Sequence, residues 1–503
     1  MRHIGDMLNP FKRLIHRGRG HAGSFAVQES SLDPATLPFK IGSVVANRYQ
    51  VTKIIGVGGY SIVFLIRDRE SSTWYALKTL REDFSGDPDV MEQFRKEARV
   101  WIGLERHPNI VRADFITELN QRLCIGMEYI EPNSDGFNSL DGYLKKSPPG
   151  LEQSIRWGIQ FCRGMEYARA HGIRCHRDVK PANIMIDSAR KVKITDFGFA
   201  EVISRSAAVS GRRRLPQQGG LGTPIYMAPE QFMNAPSCDE RSDIYSMGVI
   251  LFQMAARGRL PFYPHQGGRR MNRVQLWAAM HRLHAQFPVP PLHSPLFPVI
   301  KKCLEKEPSM RYQIFKDLRV DLEIVLKKKF SGIEREAAVG GAEGWELYNR
   351  GFSLANLGDY EGALIQYDRS LERDPDNADA WHNRGVCLRN MGRMDAAIGS
   401  FEKAVSIAPE HIAALRNLGT TLRGMGRLPE CLPWLVRAVA LDPHDETSWL
   451  NKALAEESLG LSSEAVESYR TFLALPPVLF TSHEKHAHSF VRQFERDRNA
   501  RST

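Results

Sequence analysis

The run His176-Arg177-Asp178-Val179-Lys180-Pro181-Ala182-Asn183 is followed a short strand later by Asp196-Phe197-Gly198. Together they offer a base, a cation and two oxygen ligands for a hard metal ion, which is the set that moving a phosphoryl group from ATP to a hydroxyl demands. A lone Asp or Asn in a loop is usually a turn former or a cap. Asp178, Asn183 and Asp196 in this register are much harder to dismiss.

These motifs resemble those of the eukaryotic-type (Hanks-type) serine/threonine protein kinases. The resemblance implies an α+β bilobal kinase fold that uses ATP and Mg2+. The elements that must position the chemistry then follow in order. Val51 to Phe64 alternates like a strand, breaks at Gly56-Val57-Gly58-Gly59-Tyr60-Ser61 and resumes with Val63, the pattern of a glycine-rich hairpin over nucleotide phosphates. The family's third glycine is replaced by Ser61, and Gly59 adds freedom one position after the second. Alone, such a stretch could equally be an ordinary turn; its position ahead of Tyr75-Ala76-Leu77-Lys78 decides it.

By the same resemblance Lys78 binds the α- and β-phosphates, and Glu97, in the helical stretch Phe94 to Val100, is its ion-pair partner. Taken alone, Glu97 reads as a solvated helix-face carboxylate. Met127-Glu128-Tyr129 resembles the hinge, where backbone groups would bond adenine, with Met127 as gatekeeper. Met127, Val63, Ala76 and Met185 would line the base, although each could equally be plain core. Asp178 would orient the substrate hydroxyl and accept its proton, Lys180 would balance charge on the γ-phosphate, and Asn183 and Asp196 would hold Mg2+.

Lys180, together with Thr223 in Gly222-Thr223-Pro224-Ile225-Tyr226-Met227-Ala228-Pro229-Glu230, resembles the serine/threonine branch, so protein substrates with Ser or Thr acceptors are expected. Arg177 before the catalytic aspartate implies an activation segment ordered by phosphorylation. The candidates are Ser204, Ser206, Ser210 and Thr223, of which Thr223 reads as a specificity and positioning residue before a phosphosite. Arg212-Arg213-Arg214 in that segment reads as solvated surface or as a phosphate or acidic-peptide contact. Asp243-Ile244-Tyr245-Ser246-Met247-Gly248 resembles the start of the family's buried helix, and Arg311 is the expected partner of Glu230; both read as structural anchors.

The second strong signal is a period of 34 residues, the tetratricopeptide length. Gly351, Gly385, Gly419 and Ala453 hold the small position of each first helix, and Ala363, Ala397, Cys431 and Ala465 that of each second helix. Tyr367, Phe401, Leu435 and Tyr469 are the large apolar residues, and Pro375, Pro409, Pro443 and Pro477 end each unit. The resemblance implies an all-α TPR solenoid after the kinase. Asn349, Asn383, Asn417 and Asn451 recur at one position of the first helices. They could bond a peptide or protein ligand in the groove, or equally bridge adjacent repeats.

The expected division is a basic flexible arm (1–45), the kinase domain (46–328), a linker (329–343) and four repeats (344–377, 378–411, 412–445, 446–479). A capping helix and tail (480–503) complete it. The length of 503 residues fits such a multidomain chain. No apolar run approaches a membrane span, and Met1 to Gly23 lacks the apolar core of a secretory signal. Phe11 to Arg17 leaves open a membrane-surface role beside that of a flexible arm. Seven cysteines without a C-x-x-C pair argue against a zinc ribbon or a disulfide framework, so a cytoplasmic location is expected. The net charge of +10 comes without a nucleic-acid motif, so no nucleic-acid partner is expected. Gly258 to Arg273, with Gly267-Gly268-Arg269-Arg270, reads as a basic loop insertion.

Three function classes compete: an active Ser/Thr kinase whose repeats recruit substrates or regulators, a pseudokinase, and a TPR peptide-binding scaffold. Lys78, Asp178, Asn183 and Asp196 are all present, which speaks against the second; Ser61 alone speaks for it. With the repeats as a recruiting module, removal of residues 344–503 is expected to leave basal ATP turnover and alter substrate choice.

Overall fold

The computed structural model describes residues 37–197, 224–234, 238–264, 271–330, 342–475 and 481–502. Most of the arm, Ser204, Ser206, Ser210, Thr223, Arg212–Arg214, Gly267–Arg270, Pro477 and most of the linker lie outside the described residues. Packing divides the chain into two compact units. One comprises Met1–Phe94, His107–Val111 and Tyr129–Ala337; the other comprises Arg95–Arg106, Arg112–Glu128 and Ala338–Thr503.

In the first unit, β1 (Val44–Val45), β2 (Tyr49–Val57), β3 (Ser61–Asp68) and β4 (Trp74–Leu80) pair antiparallel in sequence order. The β-branched run of β3 buries Ile62, Phe64 and Ile66, as strand residues facing a core must. The register of β2 against β3 shifts twice, the second time between Ile54 and Gly56, so the strand bends where the glycines begin. The arm boundary at residue 45 is corrected here. Phe39 is buried with its ring 5.5 Å from that of Phe64, and β1 is hydrogen-bonded to β2, because Phe39 and Val45 have apolar surface to cover.

The helical part of this unit contains α2 (Leu140–Lys146), α3 (Leu151–Ala170), the single turn α4 (Gln231–Asn234), α5 (Glu240–Ala255), α6 (Arg273–Gln286), α7 (Phe297–Cys303) and α8 (Phe315–Phe330). Helix α5 is buried along almost its whole length, as a helix without a polar face must be. Glu230 and Arg311 meet in a two-pronged pair, Nη1 to Oε1 at 2.6 Å and Nη2 to Oε2 at 2.9 Å. The guanidinium is fully buried and also donates to the carbonyls of Glu305, Lys306 and Arg241. Burial alone would raise the Glu230 carboxyl; Arg311 outweighs it and holds the pKa below the ordinary glutamate value.

The second unit joins the hairpin β5 (Ala113–Leu119) and β6 (Arg122–Glu128), and the C-terminal part of α1 (Pro88–Gly103), to a row of paired helices. The pairs are α9 (Gly344–Asn356) with α10 (Tyr360–Arg373), α11 (Ala378–Asn390) with α12 (Met394–Ile407), α13 (Ile412–Gly424) with α14 (Leu428–Leu441), and α15 (Glu446–Ser458) with α16 (Ser462–Ala474). Small residues let each pair close: a Cβ on Gly385 would lie 2.6 Å from the Phe401 ring. A further marker of the repeat is the glycine ending each first helix. Gly358, Gly392, Gly426 and Gly460 all have φ between 74° and 78°, the left-handed conformation that stops a helix cheaply only at glycine. Helix α17 (Thr481–Ser502) closes the row by laying Ala487, Phe490 and Val491 on Ala465, Tyr469 and Phe472. All seven cysteines are free and buried.

Two outcomes follow from this packing. Gly385→Val forces side-chain atoms into the Phe401 ring and should destabilise the repeats by about 1–3 kcal/mol, read by chemical denaturation. Arg311→Met leaves the Glu230 carboxylate without its cation and should cost about 3–5 kcal/mol at neutral pH. Because the folded pKa of Glu230 is depressed, its contribution is present above an unfolded pKa of about 4.3 and lost as pH falls through the folded value. The variant should therefore show a shallower acid limb of stability than the wild type.

Candidate active site

The loop that carries Asp178 is shaped by one buried carboxylate. Asp243, near the start of α5, accepts the backbone N–H groups of His176 at 2.6 Å and Arg177 at 2.8 Å. Arg177 has φ of 67°, a left-handed conformation costly for a non-glycine residue, and these two bonds hold it there. The buried His176 ring accepts the N–H of Asp178 at Nδ1 (3.3 Å), which makes Nε2 the donor to the Thr195 carbonyl (2.9 Å). Phe197 packs 4.9 Å from the same ring. His176 thus connects the loop that carries Asp178 to the chain that carries Asp196.

The segment Pro181–Asn183 makes a single 3-10 turn with proline at its start, before β7 (Ile184–Ile186) pairs with β8 (Val192–Ile194). That turn aims Asn183 back at Asp178: its Nδ2 donates to the Asp178 carbonyl at 2.9 Å and to Oδ2 at 3.0 Å. Lys180 Nζ reaches the same Oδ2 at 2.6 Å. Burial works against the Lys180 charge, but Asp178 and Asp196 outweigh it and its pKa lies above the ordinary lysine value. Lys78 Nζ, almost fully buried, contacts Asp196 Oδ1 at 2.7 Å. Burial would raise Asp196, yet Lys78 and then Lys180 dominate and hold its carboxyl low, hence ionised. Asp196 also has φ of 64°, a left-handed conformation costly for a non-glycine residue.

These groups suit a hard cation. The Asn183 amide turns its nitrogen toward Asp178 and hence its oxygen away, and Asp196 is an ionised carboxylate. Among the described residues no group of three or more His, Cys, Asp or Glu forms a metal cage by itself. Asn183 and Asp196 are the residues that would hold Mg2+, which would supply charge neutralisation for a phosphoryl group.

At the glycine-rich turn, the Gly58 N–H donates to the Ser61 carbonyl at 2.8 Å, and Tyr60 packs edge-on against Phe84 at 4.7 Å. Gly56 faces Val63 and Val63 pairs with Lys78 across β2, β3 and β4, so strand register alone links Gly56 and Val63 to the lysine. Ala76 is buried on β4, and Met185 on β7 is half-buried. Glu97 is buried on α1; Met127 is buried at the end of β6, where Glu128 gives its N–H to the Arg112 carbonyl at 3.0 Å.

Asp243 reads in the sequence as an anchor, without the loop it holds, and Gln231 is not singled out there at all. The Gln231 amide donates to the Arg177 carbonyl at 3.0 Å while its oxygen accepts the Ala228 N–H at 2.8 Å, so it ties Ala228 to the catalytic loop. Both act on backbone groups, which leave no side-chain pattern in a sequence.

A protein kinase domain model matches residues 49–321, and a tetratricopeptide repeat model matches residues 348–412. The serine/threonine-protein kinase PknB of Mycobacterium tuberculosis is 33% identical over 290 residues, covering 56% of this chain and 43% of that protein. PrkC of Bacillus subtilis is 31% identical over 288 residues, covering 56% of this chain and 41% of that protein. A probable serine/threonine-protein kinase of Clostridium perfringens is 30% identical over 293 residues, 57% of this chain and 39% of its own length. The chain therefore spans about two fifths of the length of these curated relatives. With a kinase family model matched over more than half of its residues and tetratricopeptide repeats behind it, the chain belongs to the protein kinase family.

Proposed function

We propose that this chain is an ATP- and Mg2+-dependent protein kinase that phosphorylates Ser or Thr in protein substrates, acts in the cytoplasm and uses its repeats to bind substrates or regulators. The observation that carries the reading is the convergence on Asp178 Oδ2 of Lys180 (2.6 Å) and Asn183 (3.0 Å), with Lys78 on Asp196 (2.7 Å). This supplies a carboxylate for a hydroxyl proton, a cation for developing phosphoryl charge and two oxygens for a metal.

In this reading Asp178 aligns the incoming hydroxyl and takes its proton. Lys180 remains protonated and shifts from Asp178 toward the transferred phosphoryl group. Lys78 exchanges part of its contact with Asp196 for the α- and β-phosphates under the Gly56–Ser61 turn, with Glu97 as its ion-pair partner. Val63, Ala76, Met127 and Met185 enclose the base, and Glu128 belongs to the hinge beside it. Mg2+, held by Asn183 and Asp196, supplies charge neutralisation when bound. Ser204, Ser206, Ser210 and Thr223 remain the proposed positions for activation-segment control.

The reading of the repeats draws on their asparagines. Asn383 donates to Tyr348 Oη at 3.0 Å, and Asn417 bonds His382 at 2.8 Å while accepting from Arg389 at 3.0 Å. Asn451 gives its amide to Thr447 of its own helix at 2.8 Å, and the Asn349 carbonyl accepts the Ser353 hydroxyl at 2.7 Å. Asn383 and Asn417 therefore support the groove surface from one repeat to the next, and ligand contacts would fall to the side chains beside them. The cytoplasmic location rests on seven free thiols and on the absence, among the described residues, of a helix long and apolar enough to cross a membrane.

Purified protein incubated with γ-labelled ATP and Mg2+ should place label on Ser or Thr. Asp178→Ala should lower the rate by at least about 100-fold. Lys78→Met and Asp196→Ala should abolish transfer while circular dichroism shows the repeats still folded. Undiminished transfer by Asp196→Ala would remove the assigned metal role.

A further inference from the structure

The first helices of repeats two, three and four pack on the second helix of the repeat before them. At their third position stand Ala380, Ala414 and Ser448, all fully buried. The equivalent residue of repeat one, which has no repeat before it, is Glu346, and it is buried too. Its carboxylate accepts from Arg112 at 3.2 Å and lies 3.6 Å from Arg106, and the Arg112 guanidinium stands over the Trp345 ring at 5.5 Å. A charge has replaced a small residue because this face of α9 meets strand β5 and the two arginines, Arg106 and Arg112, that precede it.

The joint is built on main-chain groups. β5 ends its sheet, so its outer N–H and C=O groups need partners. The Ile116 N–H donates to Ser353 Oγ at 2.8 Å, and the Ile116 carbonyl accepts from Asn356 Nδ2 at 3.0 Å. Ser353 is fully buried, and its own hydroxyl hydrogen goes to the Asn349 carbonyl, which fixes its oxygen as the acceptor. From α1, Arg99 donates to the Leu357 carbonyl at the end of α9 at 2.7 Å. Glu105, just beyond α1, accepts from Arg369 at 3.1 Å and Arg350 at 3.5 Å. Arg99 lies two residues from Glu97 on the same helix.

We propose that the face formed by α1 and β5 serves as the missing first repeat that caps the array, and that repeat one in return is a positioning element that holds α1, and with it Glu97, for catalysis. A protein ligand that bends or straightens the repeats then acts on β5 through Ser353 and Asn356, on the segment that follows α1 through Glu346, Arg350 and Arg369, and on α1 itself through the Leu357 carbonyl that holds Arg99. The inference rests on the kinase reading for its catalytic half and on the joint alone for its structural half. It also reverses an expectation of the sequence: removing residues 344–503 would strip the partners from Ile116 and Arg99, so basal turnover should fall.

The test uses the full chain. Ser353→Ala/Asn356→Ala, Glu105→Lys and the conservative Ser353→Thr are compared by hydrogen–deuterium exchange over residues 95–106 and 113–119 and by steady-state kinetics with a serine-containing peptide. Thr421 already stands at the Ser353 position in repeat three, so the threonine variant keeps the hydroxyl. The double variant should exchange faster in both segments and lose about tenfold in kcat, with the KM for peptide unchanged. Glu105→Lys, a half-buried change that removes the pairs with Arg369 and Arg350 but leaves the bonds to Ile116 in place, should move both readouts in the same direction by less, and Ser353→Thr should behave as wild type. Faster exchange in repeat one with wild-type kcat and wild-type exchange in 95–106 would overturn the proposal, as would loss of kcat without faster exchange there. Wild-type protein that transfers no phosphate, beside a double variant that still exchanges faster in both segments, would remove the kinase reading and leave the joint standing.

Discussion

The bond from Asp243 to the backbone of His176 and Arg177 is the constraint on which the catalytic geometry depends. Arg177 stands in a left-handed conformation just before Asp178, and without the two bonds from Asp243 a non-glycine residue would leave that conformation. Asp243 can hold the loop because it belongs to α5, a helix buried along almost all its length and therefore rigid. The site is fixed from beneath by the most buried helix of its unit. It is closed on the side by His176, whose ring spans from Asp178 to Thr195.

Charge inside this frame is closely balanced. Lys78 and Asp196 form one pair, Lys180 and Asp178 another, and Lys180 also helps to hold Asp196 ionised. Such a site tolerates a highly charged ligand only by exchanging partners, as the proposed nucleotide would require. The Glu230 and Arg311 pair lies at the other extreme. All the arginine's donors are spent on protein oxygens, so it fixes structure and has nothing left to exchange.

What was legible in the sequence follows from how each residue does its work. Asp178, Lys180 and Asn183 are close in sequence because one turn must bring them to one point, so their spacing announces the site. The 34-residue period was equally plain, since each helix pair needs small residues at fixed places. Asp243 and Gln231 were opaque in this respect because main-chain groups have no identity to read. The joint at repeat one left a partial trace. Glu346 breaks a column of Ala380, Ala414 and Ser448, but only the fold shows that the break faces Arg112. The ordered stretch from Phe39 was missed because the basic residues before it dominate the composition of the arm.

The cysteines carry a last consequence. Seven thiols lie in separate elements: Cys124 on β6, Cys162 on α3, Cys303 on α7, Cys387 and Cys431 in the repeats, and Cys175 and Cys238 around the catalytic loop. Burial pushes Cys162, Cys175 and Cys303 well away from thiolate formation, so an alkylating reagent finds no ready nucleophile there while the chain is closed. Each thiol becomes reactive when its own element opens. The protein thus carries a built-in set of local clocks, and the order in which they react under mild denaturant reports which element yields first.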